Sequence, residues 1–352
     1  QYITNTMSNT LITIVGSLNY DITTYLKKIP SANETSISEN VEYNLGGKGF
    51  NQCVSVSKSL DFANEVNVRM LGSVGSDVFG TFFLDELKKR NVDIGSIKVV
   101  ENENTGIANI IVESENNHSN RIMVFSGANK NTVFDDNDLM RIFENPFNEF
   151  VVLQNEIPDP LKVIKHIQSM KQDKCIVYNP SPFNAIDYPT DFEWHNIDII
   201  IVNEIEAFQL AMHLDIASNE DPPTDESSSF VSYFMELTNK ISEKIPDRSK
   251  NSALIVTLGS KGSIYKNMKS KNITHLNASE LQSPPIDSTG CGDTFLGYFT
   301  SHFAKSIDNV DFDNRVLEAL KIATVAAGIA VTRKGASSSV PTRQEVRDMY
   351  KI

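Results

Sequence analysis

The sequence predicts an α/β fold with a mostly parallel central sheet flanked by helices on both faces. Short apolar runs alternate with amphipathic helical stretches along most of the chain, and this spacing implies βαβ units. The first apolar run, Leu11–Val15, ends at Gly16 and predicts a buried strand. Two later segments interrupt the alternation and predict a small antiparallel β lid over the main sheet.

The individual elements follow from hydrophobic periodicity. Phe50–Leu60 has a helical pattern, and Val78–Lys89 is an amphipathic helix with an aromatic apolar face. Ala323–Val331 predicts a further helix, rich in small residues that allow close packing. The other predicted strands are the apolar runs Val66–Leu71, Phe150–Leu153, Cys175–Tyr178, Ile197–Val202 and Ala253–Leu258.

The predicted lid is a hairpin joined by a third segment. Ile107–Val112 and Arg121–Phe125 flank a polar turn and predict two antiparallel strands. With the segment Thr35–Leu45 they would form a small sheet, whose strands we expect within residues 20–45 and 98–126. A lid that excludes water from a site is one role for such a sheet, and a plain surface hairpin is the alternative.

The predicted organisation is a single α/β domain over residues 7–352. Residues 1–6 carry no pattern, and we expect them to be an expression remnant, with Met7 as the natural start. The stretch 218–229 is acidic and rich in Ser and Pro, which predicts a mobile surface insertion within about residues 214–250.

Composition restricts the class of function. The chain has 352 residues, of which 40% are hydrophobic and 22% charged, and a net charge of −13, which argues against a general nucleic-acid binder. No apolar run approaches the roughly 20 residues that span a bilayer, so we expect no membrane partner. The three cysteines lack disulfide or metal spacing, and no secretory signal is visible. These features predict a cytoplasmic protein, with nuclear presence left open.

The segment 287–293, Asp-Ser-Thr-Gly-Cys-Gly-Asp, carries the clearest chemical signal. Gly290, Cys291 and Gly292 would place unpaired N–H groups at a helix N-terminus, which attracts an anion. Asp293, next to a bound phosphate, could take a proton from a hydroxyl that attacks it. A structural helix acid, worth about 0.3–1 kcal/mol, is the alternative, but it leaves the two glycines unexplained. The motif therefore predicts a phosphoryl-transfer site.

Polar residues near the first strand predict a sugar site. Asn19 and Asp21 follow that strand directly, where the ligand crevice of a parallel sheet opens, and could hold sugar hydroxyls; a turn with an Asx hydrogen bond is the alternative. The loop 46–52 is rich in glycine but matches neither the dinucleotide fingerprint nor the Walker pattern. Its glycines would let a ligand approach the backbone, with Asn51 facing the crevice, or would serve only to begin the helix.

Acids just beyond other strands predict an indirectly held metal. Asn203 and Glu206 follow the strand 197–202 without a basic neighbour, which suits hydrated Mg²⁺ near phosphates. An Asn N-cap with acids in the first helical turn explains the same residues structurally, and the two interpretations are compatible. Glu156 also lies at a strand end, and Thr257–Gly262 predicts a hairpin turn.

Taken together, these motifs resemble the ribokinase family of PfkB-type carbohydrate kinases over nearly the whole chain. Residues 16–21 and 46–52 are similar to its first, sugar-binding signature, and 287–293 to its second, catalytic one. Residues 330–336 resemble the ribokinase ending. The resemblance implies a ribokinase-like fold and ATP-dependent phosphorylation of D-ribose at O5, giving D-ribose 5-phosphate and ADP.

The resemblance also implies roles for single residues. Asp293 would be the general base, and Gly290, Cys291 and Gly292 would supply the anion hole. The implied ribose site comprises Asn19, Asp21, Gly47, Lys48, Asn51, Glu156 and Asp293. The implied ATP site comprises Asn203, Thr257, Gly259, Gly262, Gly292 and Thr324. The implied metal ligands are Asp287, Thr289, Ala330, Arg333, Gly335 and Ser339 for an activating K⁺, and Glu206 for Mg²⁺ through water.

Two positions depart from the family pattern. Residue 291 is Cys where the family commonly has Ala, but only its backbone N–H would act. Residue 324 is Thr where an adenine-side Asn is expected. The family's lid often joins two subunits, which implies a homodimer.

Three rival functions remain at this point. The nearest is a kinase of the same fold for another pentose or a nucleoside. A sugar-binding regulator without catalysis is a rival of another class, against which the intact Asp293 motif argues. A nicotinamide dehydrogenase would need a Gly-x-Gly-x-x-Gly turn after the first strand, which the sequence lacks.

Overall fold

The computed structural model describes most of the chain. The described ranges are 9–60, 66–115, 119–170, 174–217, 222–245, 251–270, 272–305 and 310–350. The expected remnant 1–6 and Met7 lie outside them, as do residues 218–221 and 246–250 of the acidic segment.

Within these ranges the chain forms thirteen β-strands and nine α-helices. The strands are β1 (Thr10–Val15), β2 (Asn19–Leu26), β3 (Asn40–Gly46), β4 (Asn67–Gly75), β5 (Asp93–Val100), β6 (Gly106–Glu113), β7 (Ser119–Phe125), β8 (Asn148–Leu153), β9 (Cys175–Tyr178), β10 (Ile199–Asn203), β11 (Ala253–Thr257), β12 (Ser263–Asn267) and β13 (Ile273–Leu276). The helices are α1 (Lys48–Ser59), α2 (Val78–Lys89), α3 (Asp136–Phe143), α4 (Pro160–Ser169), α5 (Glu204–His213), α6 (Phe230–Lys244), α7 (Cys291–Lys305), α8 (Phe312–Ala330) and α9 (Arg343–Tyr350).

The main sheet confirms the predicted fold class. Among the described residues it has nine strands in the order β13-β12-β11-β10-β9-β8-β1-β4-β5. All neighbours from β11 to β5 pair in parallel, and only β12 and β13 at one edge are antiparallel. The ligand crevice of such a sheet lies at the carboxyl ends of its parallel strands.

Burial on both faces explains why the strands were visible as continuous apolar runs. In β10, Ile199 and Ile201 pack into one core with α1, α7 and α8, whereas Ile200 and Val202 pack into a second core with α3 to α6. The bounds shift slightly: β4 ends at Gly75 rather than Leu71, and the predicted helix 323–331 is the end of α8.

The lid is a separate four-stranded sheet in the order β3-β2-β6-β7. Its outer pairs, β3–β2 and β6–β7, are antiparallel, and the central pair β2–β6 is parallel. Asn19 and Asp21 begin β2, so they lie on a lid strand rather than in a turn after β1. Residues 98–100, which we expected in the lid, belong to β5 at the edge of the main sheet.

The acidic segment 214–250 is not wholly a surface insertion, which corrects that prediction. Its described part contains α6, whose residues Phe230, Phe234, Leu237 and Ile241 are buried in the second core. The acidic residues precede this helix, so composition hid the amphipathic stretch. No helix in the described ranges is both long enough and apolar enough to cross a membrane.

Candidate active site

The candidate site lies where helices α1 and α7 begin, at the carboxyl ends of the central strands. The two helices pack closely, because a Cβ built on Gly297 of α7 would lie 2.3 Å from Ser55 of α1. Ser55 also donates its hydroxyl to the Thr294 carbonyl, at 2.8 Å. This contact brings the first turns of both helices together, and residues that are distant in sequence meet there.

Asp293 is the centre of the site. Its carboxylate is buried in the first turn of α7 and accepts two amide hydrogen bonds. Asn51 Nδ2 donates to Asp293 Oδ2 at 3.1 Å, and Gln52 Nε2 donates to Oδ1 at 2.9 Å. Asn51 Oδ1 is buried without a partner among the described residues. A buried acceptor of this kind suits a ligand hydroxyl, because an unpaired buried oxygen is costly.

The glycines around Cys291 leave room for an anion at the start of α7. Gly290 has a positive φ of 73°, and a Cβ there would lie 2.7 Å from Ala336 Cα. A Cβ built on Gly292 would meet nothing within 4 Å, so its side is open. Cys291 N–H donates to the Ser288 carbonyl at 3.2 Å, whereas Gly292 N–H has no acceptor within the described ranges.

Cys291 itself is chemically quiet. Its thiol lies near the Asp287 carbonyl, with the sulfur 3.8 Å from that oxygen. Burial, together with the charges of Asp287 and Asp293, raises the pKa of the Cys291 thiol to about 11. Because the thiolate is the reactive form, the side chain has no nucleophilic part in this site.

Asp21 and Glu156 join Asp293 in a group of acids. Burial, and then the charges of Glu156 and Asp293, raise the pKa of Asp21 to about 7. Asp21 lies directly against Gly46, where a Cβ would be 2.1 Å from Asp21 Oδ2, so the glycine is required for this approach. A carboxyl pKa raised by burial together with neighbouring acids is typical of functional sites.

Lys48 is a cation that interacts with two of these acids, Glu156 and Asp293. Burial lowers the pKa of Lys48, but the charges of Asp293, Glu156 and Glu206 outweigh it and raise the pKa above its usual value. The predicted sugar-side acid Glu156 and the predicted magnesium-side acid Glu206 therefore both act on the same ammonium group. The backbone N–H of Lys48 also donates to Glu156 Oε2, at 2.9 Å, and Ser17 Oγ donates to the same oxygen.

Asn19 is fixed by a residue that the sequence analysis missed. Asn129 Nδ2 donates to Asn19 Oδ1 at 2.8 Å, and Asn129 also bonds the backbone N–H and carbonyl of Leu18. A Cβ on Gly106 would lie 2.3 Å from Asn19 Oδ1, so this glycine makes room for the pair. Asn129 follows the lid strand β7, and no pattern in the sequence marks it.

Asn203 and Glu206 form a capping box at the start of α5. Asn203 Oδ1 accepts from Glu206 N–H at 2.8 Å, and Glu206 Oε2 accepts from Asn203 N–H at 3.0 Å. The interpretation of these residues as a helix N-cap is thus correct, and the cap leaves Glu206 Oε1 for another partner.

In the described part of the chain, no group of three or more His, Cys, Asp or Glu side chains could hold a metal ion. A single carboxylate fits Mg²⁺ held through water near phosphates rather than in an all-protein cage.

The predicted nucleotide residues lie on two separate elements. Thr257 ends β11, and Gly259 and Gly262 form the hairpin to β12 with positive φ angles of 52° and 91°. A Cβ on Gly259 would meet nothing within 4 Å, so this turn has an open side. Thr324 lies half-buried on α8, and no hydrogen bond between described residues links it to the hairpin.

The predicted potassium residues gather behind the start of α7. Asp287 Oδ1 accepts from Thr289 N–H and Oδ2 from Gly335 N–H, each at 2.9 Å. Partial burial opposes ionisation, but these bonds hold the pKa of Asp287 below its usual range. Arg333 N–H donates to the Ala330 carbonyl at 2.9 Å, and Ser339 Oγ donates to Ala336 at 2.7 Å. An ionised carboxylate among loop carbonyls has the oxygen chemistry of a hard-cation site.

The chain is similar to known proteins over nearly its whole length. The model of the pfkB family of carbohydrate kinases matches residues 9–343. A ribokinase of Schizosaccharomyces pombe is 31% identical over 345 residues, covering 97% of this chain and 98% of its own. The crystal structure of ribokinase from Cryptococcus neoformans in complex with ADP has a TM-score of 0.80 and 28% identity, covering 97% of this chain and 99% of that one. Arabidopsis thaliana ribokinase complexed with ribose and ATP has a TM-score of 0.76 and 26% identity, covering 98% and 100%.

The fold and the match over nearly the whole chain define a phosphotransferase of the ribokinase-like α/β class. The chain belongs to the pfkB family of carbohydrate kinases.

Proposed function

We propose that the protein is an ATP-dependent ribokinase, which converts D-ribose and ATP to D-ribose 5-phosphate and ADP. The observation that carries the proposal is the Asp293 carboxylate, held by the Asn51 and Gln52 amides beside the open start of α7. The ribokinase relatives, among them the structure with ribose and ATP, support ribose as the sugar.

In the proposed reaction the ribose 5-hydroxyl attacks the γ-phosphorus in line with the departing ADP oxygen. Asp293 takes the hydroxyl proton late in a loose transition state, for which a weak base suffices. The N–H groups of Gly290, Cys291 and Gly292, with the dipole of α7, stabilise the transferring phosphoryl; for Cys291 this means releasing the Ser288 carbonyl. Mg²⁺ bound with ATP would neutralise phosphate charge, with Glu206 holding it through water.

The sugar would lie between the lid strand β2 and the start of α1. We propose that Asn19, Asp21 and Asn51 bind its hydroxyl groups. Asn51 Oδ1, which has no partner among the described residues, can accept a hydrogen bond from one of them. The backbone at Gly47 allows close approach, and the remaining assigned ribose residues are Lys48 and Glu156. The carboxylates of Asp21 and Glu156 suit a sugar, because every sugar hydroxyl can donate a hydrogen bond to a carboxylate oxygen.

ATP would occupy the hairpin side of the crevice. The residues assigned to it are Asn203, Thr257, Gly259, Gly262, Gly292 and Thr324. We assign K⁺ to the loop behind the anion hole, where its ligands would be Asp287, Thr289, Ala330, Arg333, Gly335 and Ser339. A cation there would strengthen the positive end of α7 through its field.

We also propose that the protein is a homodimer joined by its lid. The edge strand β7 exposes Ile122, Met123, Val124 and Phe125, at 57%, 54%, 61% and 49% of their surface. An exposed apolar edge strand favours pairing with another chain.

We also propose a cytoplasmic location, which fits the three cysteines, none of which forms a disulfide.

A substrate panel tests the proposed function. ADP release is measured with ribose, deoxyribose, fructose and adenosine, in potassium buffer and again in sodium buffer. We expect ribose to give the highest kcat/KM and potassium to raise the rate. A preference for adenosine would overturn the choice of substrate, and binding of ribose without turnover would favour the regulator. An equal rate in sodium would count against the cation site alone.

Ribose use should depend on pH through Asp21. Its pKa of about 7 means that the free enzyme loses an anionic acceptor as the pH falls. Below pH 7 we therefore expect kcat/KM for ribose to fall by about tenfold per unit, as a single required ionisation dictates. Initial rates at low ribose between pH 5.5 and 8.5, with the coupling enzymes in excess, measure this.

Asp21→Asn is the matched variant for that profile. It should bind ribose more weakly at pH 8, and its kcat/KM for ribose should no longer fall below pH 7. If kcat/KM falls below pH 7 in the variant as it does in the wild type, the assignment to Asp21 is wrong.

The raised pKa of Asp21 also means that the folded state holds this proton more tightly than the unfolded chain does. The contribution of Asp21 to stability is therefore lost as the pH rises from about 4 to about 7, and the variant should be the more stable protein at pH 8.

A further inference from the structure

We propose that Gln52 is a positioning residue for Asp293. It belongs to a hydrogen-bonded chain of side-chain amides formed by Gln154, Gln52 and Asn179, which we call the relay. Gln52 Nε2 donates to Asp293 Oδ1 at 2.9 Å and to Asn179 Oδ1 at 3.2 Å. Asn179 Nδ2 in turn donates to the carbonyl of Ile201 in β10, at 2.9 Å. Gln52 Oε1 accepts from Gln154 Nε2 at 2.6 Å. The relay thus connects the catalytic carboxylate to the backbone of the central sheet.

The direction of every hydrogen bond in the relay is fixed by its two ends. The Ile201 carbonyl only accepts, so Asn179 must point its NH₂ group there and its oxygen toward Gln52. Asp293 as a carboxylate also only accepts, so Gln52 must point its NH₂ group toward it. The Gln52 oxygen then faces Gln154, which has to donate. No amide in the relay can flip without placing two acceptors or two donors face to face.

Rigid elements hold the relay in place. Gln52 lies on α1 and Gln154 directly after β8, and both side chains are fully buried. Gly16 makes room for the second of them, because a Cβ at residue 16 would lie 2.2 Å from Gln154 Oε1. That oxygen is buried without a partner among the described residues. Burying polar groups at this cost points to a gain in function rather than in stability.

The relay predicts a particular kinetic effect. Asn51, on the other oxygen of Asp293, would also contact the sugar, so its loss would affect both binding and catalysis. Gln52 is fully buried and both atoms of its amide bond protein groups, so we expect it to orient the base without touching either substrate. This inference rests on the proposed function, because it needs Asp293 to accept the proton. Loss of Gln52 should therefore lower kcat and leave the KM values nearly unchanged.

The test uses Gln52→Met, which keeps the length of the side chain and removes its amide. We expect kcat to fall about 10–100-fold, with KM for ribose and ATP within about threefold of wild type. Gln154→Met, one step further from Asp293, should show a smaller loss of kcat. A kcat within about twofold of wild type in Gln52→Met would overturn the proposal.

Two further variants separate positioning from a merely structural role. Ser59→Ala removes a buried hydrogen bond to Ser301 between the same two helices, away from the site, and should change stability but not kcat. In an Asp293→Asn background, Gln52→Met should have no further effect on kcat, since residues that act as a unit are not additive. An additive loss in the double variant would overturn the relay while leaving the proposed function intact. A wild type that phosphorylates no sugar would overturn both.

Discussion

Asp293→Asn should lower kcat for ribose by about 10²–10⁴-fold, the usual contribution of a general base. The amide has nearly the shape of the carboxylate but cannot take the hydroxyl proton. Because Asn51 and Gln52 both donate to Asp293, the new NH₂ group must also face one donor. KM for ATP should change little, since all the residues assigned to ATP except Gly292 lie on other elements, and Gly292 would act through its backbone N–H. Single-turnover ADP formation by the purified variant measures the effect on the chemical step.

The control for this variant is Asp313→Asn. Asp313 is also an acid in the first turn of a helix, α8, and accepts from Tyr265 OH at 2.5 Å and Asn267 Nδ2 at 2.6 Å. Of these partners, Asn267 pairs with Ala253 at the amino end of β11, whereas Asp293 lies at the carboxyl ends of the parallel strands. Substitution of Asp313 should therefore affect thermal stability and leave kcat unchanged. Phosphoryl transfer at the wild-type rate in Asp293→Asn would show that this acid only stabilises the helix.

The sequence predicted the central sheet well because its strands are buried on both faces. Residues such as Ile200 and Ile201 point to opposite cores, and continuous apolar runs result. The lid strand β2 was harder to predict, because its side chains from Tyr20 to Tyr25 are all half-exposed and their pattern is mixed. The sequence therefore located this lid strand only within residues 20–45 and left a turn as the alternative for Asn19 and Asp21.

The motifs indicated the centre of the candidate site and several residues around it, but not the roles of Gln52 and Asn129. Gly292 and Asp293 are neighbours in sequence, so the proposed anion hole and the proposed base could be recognised together. Gln52 lies within the motif 46–52, but nothing in the sequence indicates its contact with Asp293, and Asn129 lies in no motif. From the sequence we expected only the backbone N–H of Cys291 to act, and burial raises the pKa of its thiol to about 11.

The largest effect on stability should come from Glu149, which is fully buried at the amino end of β8. Arg69 Nη2 and Lys174 Nζ contact its two oxygens at 2.7 and 2.8 Å, and Thr13 Oγ1 donates at 2.5 Å. Glu149→Gln would leave two cations without a counter-charge, and the Lys174 side chain is itself fully buried. We expect the free energy of unfolding to fall by about 3–5 kcal/mol, as when one partner of a buried ion pair is removed. Urea denaturation followed by circular dichroism measures it.

Glu86→Gln is the matched control, because it removes the same charge from a half-exposed pair with Arg90 on α2. Such pairs contribute about 0.3–0.5 kcal/mol to stability. The difference between the two variants in free energy of unfolding therefore gives the effect of burying the ion pair. The folded fraction of Glu149→Gln should keep the wild-type kcat, since this network lies at the amino ends of the strands and the site at their carboxyl ends. If the excess positive charge is the cause, adding Lys174→Met should restore part of the lost stability. A further loss in that double variant would instead assign the effect to broken hydrogen bonds and lost packing.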